Sequence, residues 1–164
     1  MGQNCRRRMQ VRNTGNIEVY LAGEIHSAWR EELEAACRGL EVVFTAPVTD
    51  HEASDDCGVA ILGPESETFW HDHKGAKLNA IRTRSLIDSA DLVVVRFGEK
   101  YRQWNAAFDA GQAVALGTPI ITLHPPEHDH ALKEIDAAAQ ATCRDTQQVA
   151  DVLRYVLEGS LGGS

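Results

Sequence analysis

Three polar side chains interrupt an otherwise apolar helical stretch between Asn105 and Leu116: Asn105, Asp109 and Gln112. Their i, i+4, i+7 spacing puts them in one stripe on one helix face. Asp109 is the only charge in the stretch, and the other residues are nearly all Ala, Phe, Gly, Val and Leu. A helix that is apolar all round is a buried one. A carboxylate in that setting must be ion-paired, hydrogen-bonded or open to a cleft. In a cleft it contacts ligand and can do chemistry. The alternatives are a solvated stripe or a structural ion pair with a nearby arginine.

A second group of candidates follows the first apolar run. Residues 17–22, IEVYLA, read as a strand, and Gly23-Glu-Ile-His-Ser comes next. A strand entering a glycine turn and then a helix aims backbone N–H groups and a helix N-terminus at a ligand, often an anion. A single glycine is not a dinucleotide fingerprint, and Glu24 is itself anionic. Ser27 is a suitable N-cap for a helix over residues 28–38, with Trp29, Leu33, Ala36 and Cys37 on its buried face. A third group, Gly98, Glu99, Lys100 and Trp104, lies in the polar loop that precedes the Asp109 helix.

These groups need elements to position them. Residues 91–97 form a continuous apolar run, the pattern of a parallel strand covered on both faces. The helix at 105–116 ends at Gly117, the residue type expected just past a helix end, and residues 118–123 form the next strand. Residues 41–46 are a strand ended by Pro47. Residues 48–75 are irregular, a long connection of the kind that serves as a lid or binding loop. Within it, Ile61 and Leu62 suit a short helix or packing plug, while Phe69 and Trp70 need cover or a partner. A helix at 77–90 turns Leu78, Ile81, Ser85 or Leu86, and Ala90 toward the sheet. Arg82 and Arg84 on it project about 200° apart, so at most one readily shares a cleft with Asp109. A helix at 131–140, a short strand at 141–143 and a helix at 147–157 complete the chain. Asp145 or Thr146 caps the last helix, with Val149, Val152, Leu153 and Val156 inward.

This order predicts an α/β fold: a three-layer α/β/α sandwich with an open, parallel, five-stranded sheet of flavodoxin- or Rossmann-like order 2-1-3-4-5. Its switch point lies between strands 1 and 3. The loops after Ala22 and Phe97 then flank one crevice, where Glu24, His26, Glu99, Lys100, Trp104 and Asp109 converge.

With 164 residues the chain suits one domain, residues 17–158, between a disordered basic extension (1–16) and a flexible tail (159–164). The formal net charge of −8 argues against a nucleic-acid backbone as partner. No apolar run approaches the roughly 18 residues of a membrane span, and the first 16 residues lack a secretory h-region. Four scattered cysteines without a CxxC fit a reduced, cytoplasmic protein. His71 and His73, and His124, His128 and His130, match no tight zinc spacing. They read as polar loop histidines, and no metal or cofactor is expected.

Three segments carry a resemblance. Tyr20-Leu-Ala-Gly-Glu-Ile-His-Ser-Ala-Trp-Arg30, Asn79-Ala-Ile-Arg-Thr-Arg84 and Phe97-Gly-Glu-Lys-Tyr-Arg-Gln-Trp-Asn-Ala-Ala-Phe-Asp-Ala110 resemble the YtoQ family, a branch similar to nucleoside 2-deoxyribosyltransferases. The similarity covers residues 17–157. It implies the fold above and cleavage of a nucleoside or nucleotide N-glycosidic bond by a helix carboxylate. In the superfamily that carboxylate is usually a Glu in an E-L-G-x-A type motif. Asp109-Ala-Gly-Gln-Ala113 matches that motif, so Asp109 takes the nucleophile's position and forms a glycosyl-enzyme. Asp is shorter than Glu by about 1.3–1.5 Å of reach, and misplacement of that size can cost on the order of 100-fold in rate. Tyr20 matches a strand tyrosine that orients the nucleophile. The superfamily's usual Asp falls near Thr83, which cannot act as an acid, so leaving-group protonation falls to Glu24, His26 or Glu99. Gly23, Glu24 and His26 match the loop that meets the sugar or its 5′ group. Arg82 or Arg84 suits a phosphate, and Trp104, Phe69 or Trp70 suits stacking on a base. The resemblance also implies a homo-oligomer, a dimer or larger, because superfamily sites are often completed by a neighbouring subunit. The alternative is a nucleotide-type ligand sensor that kept the fold and lost the chemistry. A lesser one is an interaction protein docking through Trp70 and the basic extension.

Overall fold

A computed structural model describes residues 16–99 and 103–161. The expected basic extension (apart from Asn16), Lys100 and residues 162–164 of the expected tail lie outside the described residues. In chain order the elements are β1 (Ile17–Gly23), α1 (Trp29–Ala36), β2 (Val42–Thr45), α2 (His51–Leu62), α3 (Thr68–Ser89), β3 (Leu92–Arg96), α4 (Trp104–Leu116), β4 (Ile120–Leu123), α5 (Asp129–Ala138), β5 (Ala141–Cys143) and α6 (Thr146–Glu158). The five strands form one sheet in the order β2-β1-β3-β4-β5, and every pairing is parallel. Tyr20 sits between Thr45 on β2 and Val93 on β3. This is the three-layer α/β/α sandwich, with the strand order expected from the sequence.

Successive side chains of a strand point to opposite faces, and both faces here are covered. Val19 and Leu21 of β1, with Val94, Ile121 and Leu123, pack under Trp29 and Leu33 of α1 and Val149 and Leu153 of α6. Tyr20 and Ala22, with Val93, Val95 and Ile120, pack under Ile87 of α3 and Ala106, Ala110 and Ala113 of α4. The three alanines bring α4 close to the sheet, so the stripe carrying Asp109 lies near the carboxyl ends of β1 and β3. The opposite side of α4 departs from the expected burial: Trp104, Phe108 and Val114 are exposed.

The largest departure from the sequence reading is residues 48–75, which are mostly helical. Asp50 caps α2 by accepting from the Ala53 amide, and α3 begins at Thr68 rather than Lys77. The two helices form a hairpin held by small residues. A Cβ on Gly58 would lie 2.3 Å from the Gly75 nitrogen, and one on Gly75 would lie 2.7 Å from the Asp55 oxygen. A contact made of glycine backbone leaves no apolar period to read. The first half of α3 therefore packs on α2 instead of on the sheet. Against expectation, Ile81 is 66% exposed, while Ile87 is fully buried. Two further corrections concern α1 and α6. The α1 N-cap is Ala28, with no side-chain cap, because Ser27 donates to Glu24 instead. Asp145 does cap α6, but Val156 is exposed and Ala150 is buried.

The glycine contact carries a prediction. Gly58→Ala should destabilise the fold by about 1–3 kcal/mol, the usual cost of overpacking. Gly111→Ala, where an added Cβ meets nothing within 4 Å, should be neutral or gain up to about 1 kcal/mol. Urea denaturation of the two variants beside the wild type checks the contrast.

Candidate active site

The carboxyl ends of β1 and β3 open into a cleft of about 750 Å³. Its walls are the Gly23-to-His26 turn, Pro47 and Val48 after β2, the inner face of the α2–α3 hairpin, and the first turns of α4. All three residues of the α4 stripe, Asn105, Asp109 and Gln112, line it.

Asp109 is partly buried, and burial pushes its carboxyl up to about 6. Among the described residues it has no hydrogen bond or ion pair. Beside it, the Tyr20 hydroxyl is fully buried and likewise unpaired. Burial raises that phenol to about 12; Thr83 pulls it down and the nearby Asp109 charge pushes it up. Thr83 approaches without hydrogen-bond geometry. Tyr20 thus keeps its proton at neutral pH, an unused donor close to an unused acceptor. Buried polar groups are rarely left in that state without a functional cause.

The turn after β1 is rigid for identifiable reasons. Gly23 has φ +96°, and a Cβ there would lie 2.1 Å from the Arg96 oxygen, so only glycine fits. The Glu24 amide donates to that same oxygen at 3.1 Å. Arg30, buried under the turn, donates to the backbone oxygens of Leu21 (3.1 and 3.2 Å), Gly23 (3.2 Å) and Glu24 (2.7 Å). The Trp29 indole N–H adds a 2.7 Å bond to the Glu24 oxygen.

Glu24 is 8% exposed, and its carboxylate accepts from the His26 amide and the Ser27 hydroxyl. Burial alone would raise this carboxyl. Ser27, the His26 amide and Arg96, whose Nε is 3.7 Å away, outweigh burial and hold it below the ordinary value. Glu24 is therefore an ionised acceptor at neutral pH and has no proton to give a leaving group.

Of the other expected site residues, Gly23, His26, Arg82, Trp104 and Asn105 line the cleft with Asp109 and Glu24. Arg82 also donates to the Ala46 oxygen at 3.2 Å. Tyr20 sits behind the lining. Gly98 stands off the cleft, so close to Glu24 that a Cβ on it would lie 2.4 Å from Glu24 Cγ. Glu99 is exposed and does not line the cleft, and Lys100 lies outside the described residues. Ser54, Asp55, Asp72 and Asn79 line the cleft although sequence reasoning missed them. Ser54, Asp55 and Asp72 fall in the stretch 48–75 expected to be an irregular connection, and Asn79 falls in the helix expected at 77–90. Asn79 ties the hairpin shut with two 3.0 Å bonds to Ser54.

The histidines also differ from expectation. His124 is fully buried, with Nε2 3.1 Å from both oxygens of Asp136. Arg144 bonds to Asp129 on the other side of the ring. His124, Asp129 and Asp136 each bring one ligand-type atom within 4.8 Å of the others. They already satisfy one another and Arg144, as a structural network does. His128 joins this network to the site by a 3.2 Å contact between its Nε2 and the Gly98 oxygen.

Comparison with known proteins agrees with this architecture. A protein of Bacillus subtilis (strain 168) described as "Uncharacterized protein YtoQ" is 41% identical over 142 residues, covering 85% of this chain and 96% of that one. A solved 2-deoxyribosyltransferase from Bacillus psychrosaccharolyticus superposes with a TM-score of 0.55 at 20% identity, covering 82% and 90% of the two chains. A conserved protein from Enterococcus faecalis V583 superposes with a TM-score of 0.57 at 13% identity, covering 86% and 99%. Both structures share the fold. The family model described as "Nucleoside 2-deoxyribosyltransferase YtoQ" matches residues 20–157, and the chain belongs to that family.

Proposed function

We propose that the protein cleaves the N-glycosidic bond of a nucleoside or nucleoside 5′-monophosphate, by deoxyribosyl transfer or hydrolysis, with Asp109 as nucleophile. One observation carries the reading: a desolvated carboxylate without a hydrogen-bond or ion-pair partner among the described residues faces a cleft large enough for a nucleoside, beside the buried, unsatisfied Tyr20 hydroxyl. In this mechanism one Asp109 oxygen attacks the anomeric carbon while Tyr20 donates to the other. The carbon–nitrogen bond breaks and its electrons leave with the base. Water, or a second base, then attacks the same carbon and frees Asp109. The backbone at Gly23 and His26 meets the sugar, Arg82 and Asn105 contact its polar groups, and Trp104 stacks on the base. Glu24, held ionised, fixes the turn and the Gly98 loop. The test is base release, followed by chromatography, from a panel of ribo- and deoxynucleosides and their 5′-monophosphates, with Asp109→Ala in parallel. Release that vanishes in the variant supports the proposal; no release from any substrate sinks it.

Thr83 favours a second reading. With a hydroxyl where the superfamily usually has an acid, the same cleft suits a nucleotide-type ligand sensor. Saturable binding without turnover, by calorimetry on the same panel, separates the two.

The exposed apolar side chains Trp104, Phe108 and Val114 of α4 and Ile81 of α3 support a homo-oligomer, since exposed apolar surface marks association sites. Light scattering should give a mass of at least twice 18.0 kDa, and Ile81→Glu with Val114→Glu should return it to the single-chain value. A wild-type protein running as a single chain would end this idea.

A further inference from the structure

We infer that the cleft is built for a base that carries positive charge in the substrate, an N-alkylated purinium or pyridinium nucleoside, and so leaves as a neutral molecule. The inference rests on the glycosidic reading above and names its substrate class.

Three observations lead to it. First, an uncharged base needs a proton as it departs, and three of the groups around the reacting position offer none, which leaves His26 as the one imidazole among the described residues lining the cleft. Thr83 is a hydroxyl, Glu24 is locked as an acceptor between His26 and Ser27, and Tyr20 holds its proton tightly. Second, the charges lining the cleft are mostly negative among the described residues: Glu24, Asp55, Asp72 and Asp109 against Arg82. A cation is drawn into such a cleft, and field focusing there raises its local concentration. Third, Trp104 and Phe108 present exposed rings at the cleft wall. A flat cationic ring stacks on an indole better than a neutral one.

The step balances without an acid. Asp109 Oδ forms a bond to C1′ as the C1′–N bond breaks. The bonding pair returns to the cationic ring nitrogen, so the base departs neutral with no proton transferred. Water then attacks C1′, the C1′–O bond to Asp109 breaks, and the water's proton passes to solvent. One proton appears for each cationic substrate consumed. Bringing the cation beside Asp109 also favours the ionised, attacking form of that carboxyl.

The experiment pairs cationic probes with uncharged partners: N7-methylguanosine with guanosine, and nicotinamide riboside with its 1,4-dihydro form. Each kcat/KM is divided by the probe's uncatalysed rate at the same pH, which removes the cation's intrinsic lability. The expected result is an enhancement about 100-fold or more larger for the cations, the lower end of what a general acid contributes. Thr83→Asp, which supplies an acid, should raise release from the uncharged probes about tenfold or more and from the cations by a smaller factor. An equal or larger enhancement for the uncharged probes overturns the inference while the glycosidic reading stands. An equal gain for both classes in Thr83→Asp also overturns it. No release from any probe, in the wild type or in Thr83→Asp, overturns both readings.

Discussion

Asp109→Asn is expected to cut base release at least about 10⁴-fold, the scale seen when a covalent nucleophile is removed, while making the folded protein more stable at pH 7. The two effects have one cause. Burial without a partner lifts the Asp109 carboxyl from 3.8 to about 6, so at neutral pH the native state holds a charge that the unfolded chain accommodates more easily. A folded value above the unfolded one means the native state binds more protons between about 4 and 6. Stability then falls as pH rises through that window and is level above it. A shift of this size corresponds to about 2–3 kcal/mol, and asparagine removes the penalty. The gain in urea denaturation should be full at pH 7 to 8 and vanish below pH 4. Activity runs the opposite way, because only the carboxylate attacks. With any productive substrate, kcat/KM should rise about tenfold per pH unit up to about 6 and then level off. If Asp109 were a structural ion-pair member, the same substitution would lower stability.

How much of this was legible in the residues follows from what each element packs against. The β3 run Leu92 to Val95 is buried on both faces and reads directly as a parallel strand. The stripe of Asn105, Asp109 and Gln112 reads as one helix face, and all three residues meet at the cleft. The α2–α3 hairpin was hidden because Gly58 and Gly75 hold it by backbone contact, which has no hydrophobic period. With it went the part of the cleft wall that carries Ser54, Asp55 and Asp72. His124 looked like a loop residue because it follows β4 among prolines and acids. Its burial depends on Asp136 and Arg144, 12 and 20 residues away, and such pairings leave no local trace. Arg30 of α1 is turned inward by the backbone oxygens of Leu21, Gly23 and Glu24, a pairing that no local sequence pattern marks.

Arg30 carries the other large expected effect. Arg30→Met should cost about 3 kcal/mol of stability and, in a variant still folded at 15 °C, lower kcat/KM by about 100-fold with any productive substrate. Arg30 is 6% exposed, and its guanidinium lies 4.6 Å from the Trp29 ring centroid. It satisfies three backbone oxygens at once, a geometry that a planar fork with five donors provides and an ammonium does not. Methionine keeps most of the volume but orphans buried carbonyls, each worth about 1–3 kcal/mol. The Trp29 indole still reaches the Glu24 oxygen, which keeps the total toward the lower end. The functional loss comes through position. The oxygens of Gly23 and Glu24 fix the turn that lines the cleft opposite Asp109, and a displacement of about 1 Å there is enough to cost two orders of magnitude. Arg30→Lys separates charge from geometry: it restores the cation but reaches fewer of the three oxygens, so it should recover part of the stability and little of the rate. The distinguishing readout is the split of the loss. A turn that has shifted raises KM and lowers kcat together, whereas a merely less stable protein with its turn intact keeps both once assayed well below its melting point. Finding both constants unchanged in folded Arg30→Met would show that the turn holds its shape without the guanidinium.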